Sequence, residues 1–170
     1  MKPLETARLR LRHLQAADAG FIVELLNDPS WLRYIGDKNV HNADDALGYI
    51  NNGPIDSYQR LGFGLYCVER QDNGAAIGLC GLIKRATLPH IDIGFALLPA
   101  YFGQGYILEA AQAVIDQGRR EYGLRRLLAI TSPDNHASIS VIRKLGLQAQ
   151  GSVTLGDPAL PTLLFAIDYD

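Results

Sequence analysis

Residues 90–111 read HIDIGFALLPAYFGQGYILEAA and combine three predicted elements in one continuous segment. Small and apolar side chains dominate residues 90–97, a pattern typical of a strand, and Pro99 marks its end. Gly103 and Gly105 punctuate the loop that follows, and apolar residues then recur at helical spacing as far as Tyr122-Gly123. The segment therefore predicts a strand, a glycine loop and a long helix packed on a sheet.

The glycine loop has the ingredients of a phosphate-binding site. The first amides of a helix have no partner within the helix and carry the positive end of its dipole. Because glycines let the backbone approach an anion closely, the loop and the helix start predict a phosphate cradle. A turn that only caps the helix is the alternative. The absence of a following Gly-Lys-Ser or Gly-Lys-Thr excludes a Walker A loop, and the third glycine of a dinucleotide fingerprint is missing.

The flanking sequence alternates strands and helices. Strand patterns occupy residues 8–14, 61–69, 75–84, 126–131, 149–155 and 162–168, and helical patterns occupy residues 16–27, 31–34, 43–51 and 135–145. We expect Asn73-Gly74 to form a hairpin turn and Gly53-Pro54 to end the third helix. This order predicts a single three-layer α/β domain over residues 1–170 with a mixed central sheet.

The composition is that of an ordinary globular chain. Of 170 residues, 48% are hydrophobic and 20% are charged, and 16 basic against 18 acidic residues leave a net charge of −2. This balance argues against a nucleic-acid partner. No apolar run predicts a membrane span, and the first residues lack the apolar core of a signal peptide. Cys67 and Cys80 lie in apolar runs without a metal-binding cluster, so we expect reduced core thiols, no metal and a cytoplasmic location.

Three motifs in order along the chain resemble the GNAT superfamily of N-acetyltransferases, and within it the ribosomal-protein alanine N-acetyltransferase branch. Residues 26–29 (LNDP), followed by Arg33-Tyr34, are similar to an early segment of that branch. Residues 92–110 follow its central glycine-loop pattern, and residues 135–138 (NHAS) with 144–147 (KLGL) match its later motif. The resemblance covers essentially the whole chain. It implies a GNAT-like fold with a twisted, mostly antiparallel sheet of about six to seven strands flanked by helices.

The resemblance also implies acetyl-CoA as the co-substrate. In that family the glycine loop binds the pyrophosphate through backbone amides, and the preceding strand pairs with the pantetheine arm. Two departures are Phe102, where the superfamily has Gln or Arg, and Ile107, where it has Gly or Ala. Neither removes a backbone amide, so the binding interpretation stands. The implied binding residues are Phe95, Leu97, Gly103, Gln104, Gly105, Tyr106, Ile107, Leu108 and Asn135.

The acid that many superfamily members use is missing from this sequence. Ile142 stands where they carry a tyrosine that protonates the departing thiolate. The resemblance offers Ser138 instead, one turn earlier, because its hydroxyl can donate a hydrogen bond to the developing thiolate. The alternative is that Ser138 only caps the helix behind Asn135.

Asp92 is the candidate for the base that removes a proton from the acceptor ammonium. It lies on the strand that leads to the glycine loop, and alternation places its side chain on the same face as Gly94. The hypothesis is that it works through a bound water. The alternative is a strand-end carboxylate paired with Arg85 or Lys84, and His90 is a weaker candidate.

Superfamily members usually dock the acceptor between the first two helices and the loop joining the last two strands. Trp31, Tyr34 and residues 151–161 are therefore the expected acceptor wall, with core packing as the alternative for the two aromatic residues. The sequence predicts a monomeric or homodimeric enzyme, with no nucleic-acid or membrane partner, that transfers acetyl directly to a primary amine of a small molecule or a protein N-terminus. A non-catalytic acyl-CoA-binding or sensing module and a nucleotide-binding α/β protein are the alternatives.

Overall fold

A computed structural model describes residues 2–156 and 160–170 of the chain. The described residues form one mixed sheet of eight strands. These strands are β1 Leu4–Glu5, β2 Leu9–His13, β3 Leu65–Arg70, β4 Ala76–Ile83, β5 Asp92–Leu97, β6 Arg126–Thr131, β7 Gln148–Leu155 and β8 Leu160–Asp168. The α-helices are α1 Ala19–Leu26, α2 Pro29–Tyr34, α3 Ala43–Ile50, α4 Asp56–Leu61, α5 Tyr106–Glu121 and α6 His136–Lys144.

The sheet has the strand order β1-β2-β3-β4-β5-β6-β8-β7, and every neighbouring pair except β5 and β6 is antiparallel. This confirms the predicted mixed, mostly antiparallel sheet. The eight strands exceed the expected six to seven because Leu4 and Glu5 fold back onto Leu11 and Arg10 as a short edge strand. Period-two alternation cannot be recognised in a strand of two residues.

The single parallel pair of strands is joined at one point of its length. Asp92 stands opposite Leu128, and the N–H of Leu128 donates to the carbonyl of Ile91 at 2.9 Å. No further register pair joins β5 to β6 in the described ranges, whereas β5 pairs with β4 along its whole length. The two strands therefore diverge towards their carboxyl ends and leave an opening in the sheet.

The backbone of β5 presents free donors to this opening. Successive residues of a strand direct their N–H and C=O groups to opposite edges. The carbonyl of Ile91 points to the edge of β5 that faces β6. The N–H of Leu98 points to the other edge, where it donates to the carbonyl of Ile77 at 2.8 Å. Odd-numbered residues of β5 thus face β6, so the amides of Phe95 and Leu97 point into the opening.

Alternating side chains of β5 build a core on each face of the sheet. Ile93 and Leu97 belong to the cluster beneath the long helices, together with Val114 of α5 and Ile142 of α6. Ala96 packs against the opposite cluster, which α1, α2 and α3 cover through residues that include Ile22, Trp31, Ala46 and Ile50. The sheet therefore lies between two helical layers, as the alternation of the strand predicts.

The predicted end of the third helix at Gly53-Pro54 is wrong. The chain stays helical through a π turn over Asn51–Ile55 and continues directly into α4. Proline lacks the N–H of a regular helix, and the wider turn accommodates this residue, which is buried. Helix α4 consequently includes Leu61, which was predicted to begin a strand, and β3 starts at Leu65 after Gly62 turns the chain with a φ of 82°.

Both cysteines are free and fully buried, as the sequence predicted. Burial raises the pKa of the Cys67 thiol to about 12 and raises the pKa of Cys80 as well, so neither supplies a thiolate nucleophile near neutral pH. Within residues 2–156 and 160–170, no cluster of His, Cys, Asp and Glu has the makings of a metal site. No helix in this part of the chain combines the length and apolar character needed to cross a membrane.

Candidate active site

Two helices begin at the end of the sheet where β5 and β6 diverge. Helix α5 connects the parallel strands β5 and β6, and α6 connects β6 to β7, which runs the same way because both are antiparallel to β8. Both helices therefore return antiparallel to the strands, with their N-termini at the carboxyl ends of β5 and β6. The positive ends of two helix dipoles meet at one opening, which favours a negatively charged ligand there.

The glycine loop adopts a conformation that its two glycines permit. Gly103 has a φ of 73° and Gly105, the N-cap of α5, has a φ of 80°, both in the left-handed region. The first helical bond runs from Glu109 N–H to the Gly105 carbonyl at 3.1 Å. The amides of Tyr106, Ile107 and Leu108 precede that bond and have no acceptor within the helix. The predicted loop thus presents backbone donors at a helix start.

A chain of contacts behind the loop joins it to the N-terminal strand. Arg8 donates from Nε to Oε1 of Glu109 at 2.8 Å and from Nη1 to the Gln104 carbonyl at 2.9 Å. The Glu109 carboxylate also accepts from the Arg8 backbone N–H at 2.9 Å and from the Thr6 hydroxyl. Partial burial raises the pKa of Glu109, but the hydrogen bonds from Thr6 and Arg8 outweigh it and leave the pKa below its ordinary value. Sequence reasoning missed Arg8 and Thr6.

At the start of α6, the capping side chain is that of Asn135. Its Oδ1 accepts from the N–H of Ser138 at 3.2 Å, which is the usual N-cap bond. The alternative interpretation, in which the Ser138 side chain caps the helix, is therefore wrong. Ser138 takes part in the cap through its backbone N–H, and its half-buried side chain is not the capping group. Ile142, at the position of the missing tyrosine, is 1% exposed and packs in the core.

Asp92 is completely buried at the point where β5 and β6 part. Arg85 donates from Nε to both carboxylate oxygens, at 3.1 Å and 3.2 Å. Burial raises the pKa of Asp92, and the neighbouring Arg85 partly opposes that effect. The structure therefore contains the Arg85 pair that the sequence offered as the alternative to a base.

Helix α2 lies against the loop that follows β6. Ser132 donates from Oγ to the Tyr34 carbonyl at 3.2 Å, and Arg33 pairs with Asp134 at 3.1 Å. Trp31 is 6% exposed and packs in the core beneath α1 and α3, which agrees with the alternative prediction of core packing for this residue. Tyr34 is half-buried. The helix thus lies beside the loop on the β6 side of the opening. Residues 157–159 of the predicted acceptor segment lie outside the described residues.

The assembled geometry places two helix N-termini and the backbone amides of β5 around one opening, which favours an anionic ligand there. The profile of the acetyltransferase (GNAT) domain matches residues 8–148. This chain belongs to the GNAT acetyltransferase family.

Two sequence relatives of this acetyltransferase are named as N-acetyltransferases. It is 28% identical over 148 residues to the uncharacterized N-acetyltransferase YnaD of Bacillus subtilis, covering 87% of this chain and 84% of that protein. It is 25% identical to the spermidine N(1)-acetyltransferase of Escherichia coli, covering 85% of this chain and 75% of that protein. The chain is accordingly an N-acetyltransferase.

Solved structures of other acetyltransferases share the fold of this acetyltransferase. An acetyltransferase from Agrobacterium tumefaciens superposes with a TM-score of 0.84 at 24% identity, covering 99% of this chain and 95% of that one. A ribosomal-protein-S5-alanine acetyltransferase from Vibrio fischeri superposes with a TM-score of 0.83 at 17% identity, covering 100% and 98%. At these identities the likeness establishes the GNAT fold.

Proposed function

We propose that this acetyltransferase transfers the acetyl group of acetyl-CoA directly to a primary amine within a ternary complex. GNAT acetyltransferases in general use acetyl-CoA to acetylate amines. The observation that carries the proposal is the opening between β5 and β6, which begins at Asp92 and leads towards the glycine loop. It offers two groups of backbone N–H groups to acetyl-CoA, one on the edge of β5 and one at the glycine loop.

In this proposal different residues along the opening bind different parts of acetyl-CoA. The amides from Gly103 to Leu108 bind the pyrophosphate, and the edge of β5 at Phe95 and Leu97 pairs with the pantetheine arm. The amide at Leu97 donates to the thioester oxygen as negative charge develops there. Ser138, at the start of α6, donates a hydrogen bond to the departing thiolate.

The acceptor is a primary amine that enters beside α2 and the loop after β6, where Tyr34 is half-buried and Trp31 packs behind it in the core. Acceptors of both predicted kinds occur in the names of similar proteins, spermidine in one and a ribosomal-protein alanine in another. A non-catalytic acyl-CoA-binding module is the second candidate function, because Ile142 leaves the usual acid position without a proton donor.

A free-thiol assay with acetyl-CoA and a panel of amines tests the proposal. The panel contains a simple alkylamine, a polyamine and peptides with a free amino terminus. We expect CoA release that depends on both substrates, together with an acetylated amine detected by mass spectrometry. Binding of acetyl-CoA without release of CoA for any amine would favour the sensing module. Stabilisation against melting by ATP and not by CoA would indicate a nucleotide-binding protein instead.

Asp92 is the residue that we propose as the base, acting through a water in the opening. Asp92→Asn is then expected to lower kcat/KM and to remove the part of the fall in kcat/KM at acid pH that protonation of Asp92 causes. The variant also loses the ion pair with Arg85, although its amide oxygen can still accept from Nε of Arg85. Arg85→Gln is the matched control, since it breaks the same pair but keeps the carboxylate. Equal loss of activity in both variants would show that Asp92 serves only the ion pair.

A further inference from the structure

We propose that Arg8 is a positioning residue that orients the peptide between Gln104 and Gly105, so that the Gly105 N–H faces the pyrophosphate of the donor. This inference rests on the proposed function, because it concerns how the same glycine loop binds acetyl-CoA.

The orientation follows from the planarity of the peptide group. In a trans peptide the C=O and the following N–H point in opposite directions. The Gln104 carbonyl accepts from Nη1 of Arg8 at 2.9 Å, on the side of the loop that faces β2. The N–H of Gly105 must therefore point away from Arg8, to the opposite side of the loop, where a ligand can reach it.

A contact of this kind is needed because the peptide before a glycine is easily reversed. Gly105 holds a φ of 80°, and glycine populates positive and negative φ about equally well. Rotation of the 104–105 peptide would exchange its N–H for a carbonyl oxygen, which repels phosphate. No side chain caps this helix start, so the backbone there depends on its outside contacts.

Arg8 is itself held firmly enough to act as a support. Its guanidinium stacks over the ring of Tyr106 at 4.3 Å and is paired with Glu109, whose carboxylate also accepts from the backbone of Arg8. A carbon atom added at Gly105 would lie 3.4 Å from Nη2 of Arg8, so the side chain packs directly behind the loop. Because Glu109 neutralises its charge, Arg8 acts through the backbone geometry of the loop.

The test compares Arg8→Ala with Arg10→Ala. Arg10 lies two residues further on and, within the part of the chain that the structure describes, pairs with Glu5; both side chains are at least half exposed, so its loss is a matched control. We expect Arg8→Ala to raise the dissociation constant of CoA about tenfold by calorimetry, which corresponds to about 1.4 kcal/mol. Arg10→Ala should bind CoA as the wild type does. Arg8→Lys should be intermediate, since an ammonium can reach one of the two acceptors only.

An acetyl donor without a pyrophosphate distinguishes an effect on the orientation of the glycine loop from a general loss of enzyme activity. S-acetylpantetheine carries the same thioester but cannot use the Gly105 N–H, so its kcat/KM should be the same in Arg8→Ala and the wild type. Equal losses with both donors, or unchanged CoA affinity in a folded Arg8→Ala or Arg8→Lys protein, would overturn the inference. Failure of the wild-type protein to bind CoA at all would instead overturn the proposed function.

Discussion

Gly105→Val is expected to weaken acetyl-CoA binding by about a hundredfold, the largest effect on the donor site. The residue has a φ of 80°, a region that costs an L-amino acid roughly 1–2 kcal/mol. Any shift that relieves this strain moves the amides that hold the pyrophosphate, and each hydrogen bond to a charged group is worth about 1.5–3 kcal/mol. Two such losses together exceed the 2.8 kcal/mol that corresponds to about a hundredfold change. Calorimetry with acetyl-CoA measures the effect.

Gly123→Val is the control for backbone strain. Gly123 follows the other end of α5 with a φ of 63°, and a carbon atom added there would meet nothing within 4 Å. We expect this variant to lose a similar amount of stability in a melting curve while it retains acetyl-CoA affinity. A folded Gly105→Val protein with wild-type affinity would remove the glycine loop from the donor site.

Ser138→Ala is expected to lower kcat by about a hundredfold with little change in KM for acetyl-CoA. A hydrogen bond to the thiolate strengthens as the carbon–sulfur bond breaks, so its loss affects the transition state more than the bound donor. General acid catalysis contributes about 10²–10⁴-fold, and a hydroxyl is a weak acid, so the lower end applies. Steady-state kinetics in which the concentrations of both substrates are varied measure the changes in kcat and in KM separately.

The structure also predicts how this variant affects the stability of the protein. Because Asn135 is the capping side chain, Ser138→Ala keeps the cap and should melt as the wild type does. Asn135→Ala should instead lose about 1 kcal/mol of stability, as is typical for an N-cap. Ser140→Ala, at an exposed position of α6, should change neither property. Wild-type kcat in Ser138→Ala would mean that water protonates the thiolate.

Elements whose signals are local were predictable from the sequence. The alternation in residues 90–97, Pro99 and the two glycines correctly located β5, the loop and the start of α5, since each rule concerns a few adjacent residues. The hairpin at Asn73-Gly74 is confirmed for the same reason, with Gly74 at a φ of 69°. The π turn was not predictable, because Gly53-Pro54 normally ends a helix and its continuation depends on packing.

Arg8 shows why part of the site escaped sequence reasoning. The pattern RLRLRH makes Arg8, Arg10 and Arg12 equivalent, with all three on the solvent side of a strand. In the structure β2 begins only at Leu9, and a bend at residues 7–8 turns Arg8 towards α5. Its partner Glu109 is 101 residues away in the chain. No local rule distinguishes Arg8 from Arg10, which pairs with Glu5 instead.

The sequence by itself determined the strand, the glycine loop, the helix and the family resemblance, because these depend on residue types at short spacings. Only the tertiary structure decided that β5 and β6 share one register pair and then part, and that Arg8 stands behind Gln104. Strand separation depends on how both layers of helices pack against the sheet, and a support for the loop depends on which distant side chains that packing brings together. Contacts between remote residues are fixed by the whole fold, so they are absent from any local pattern.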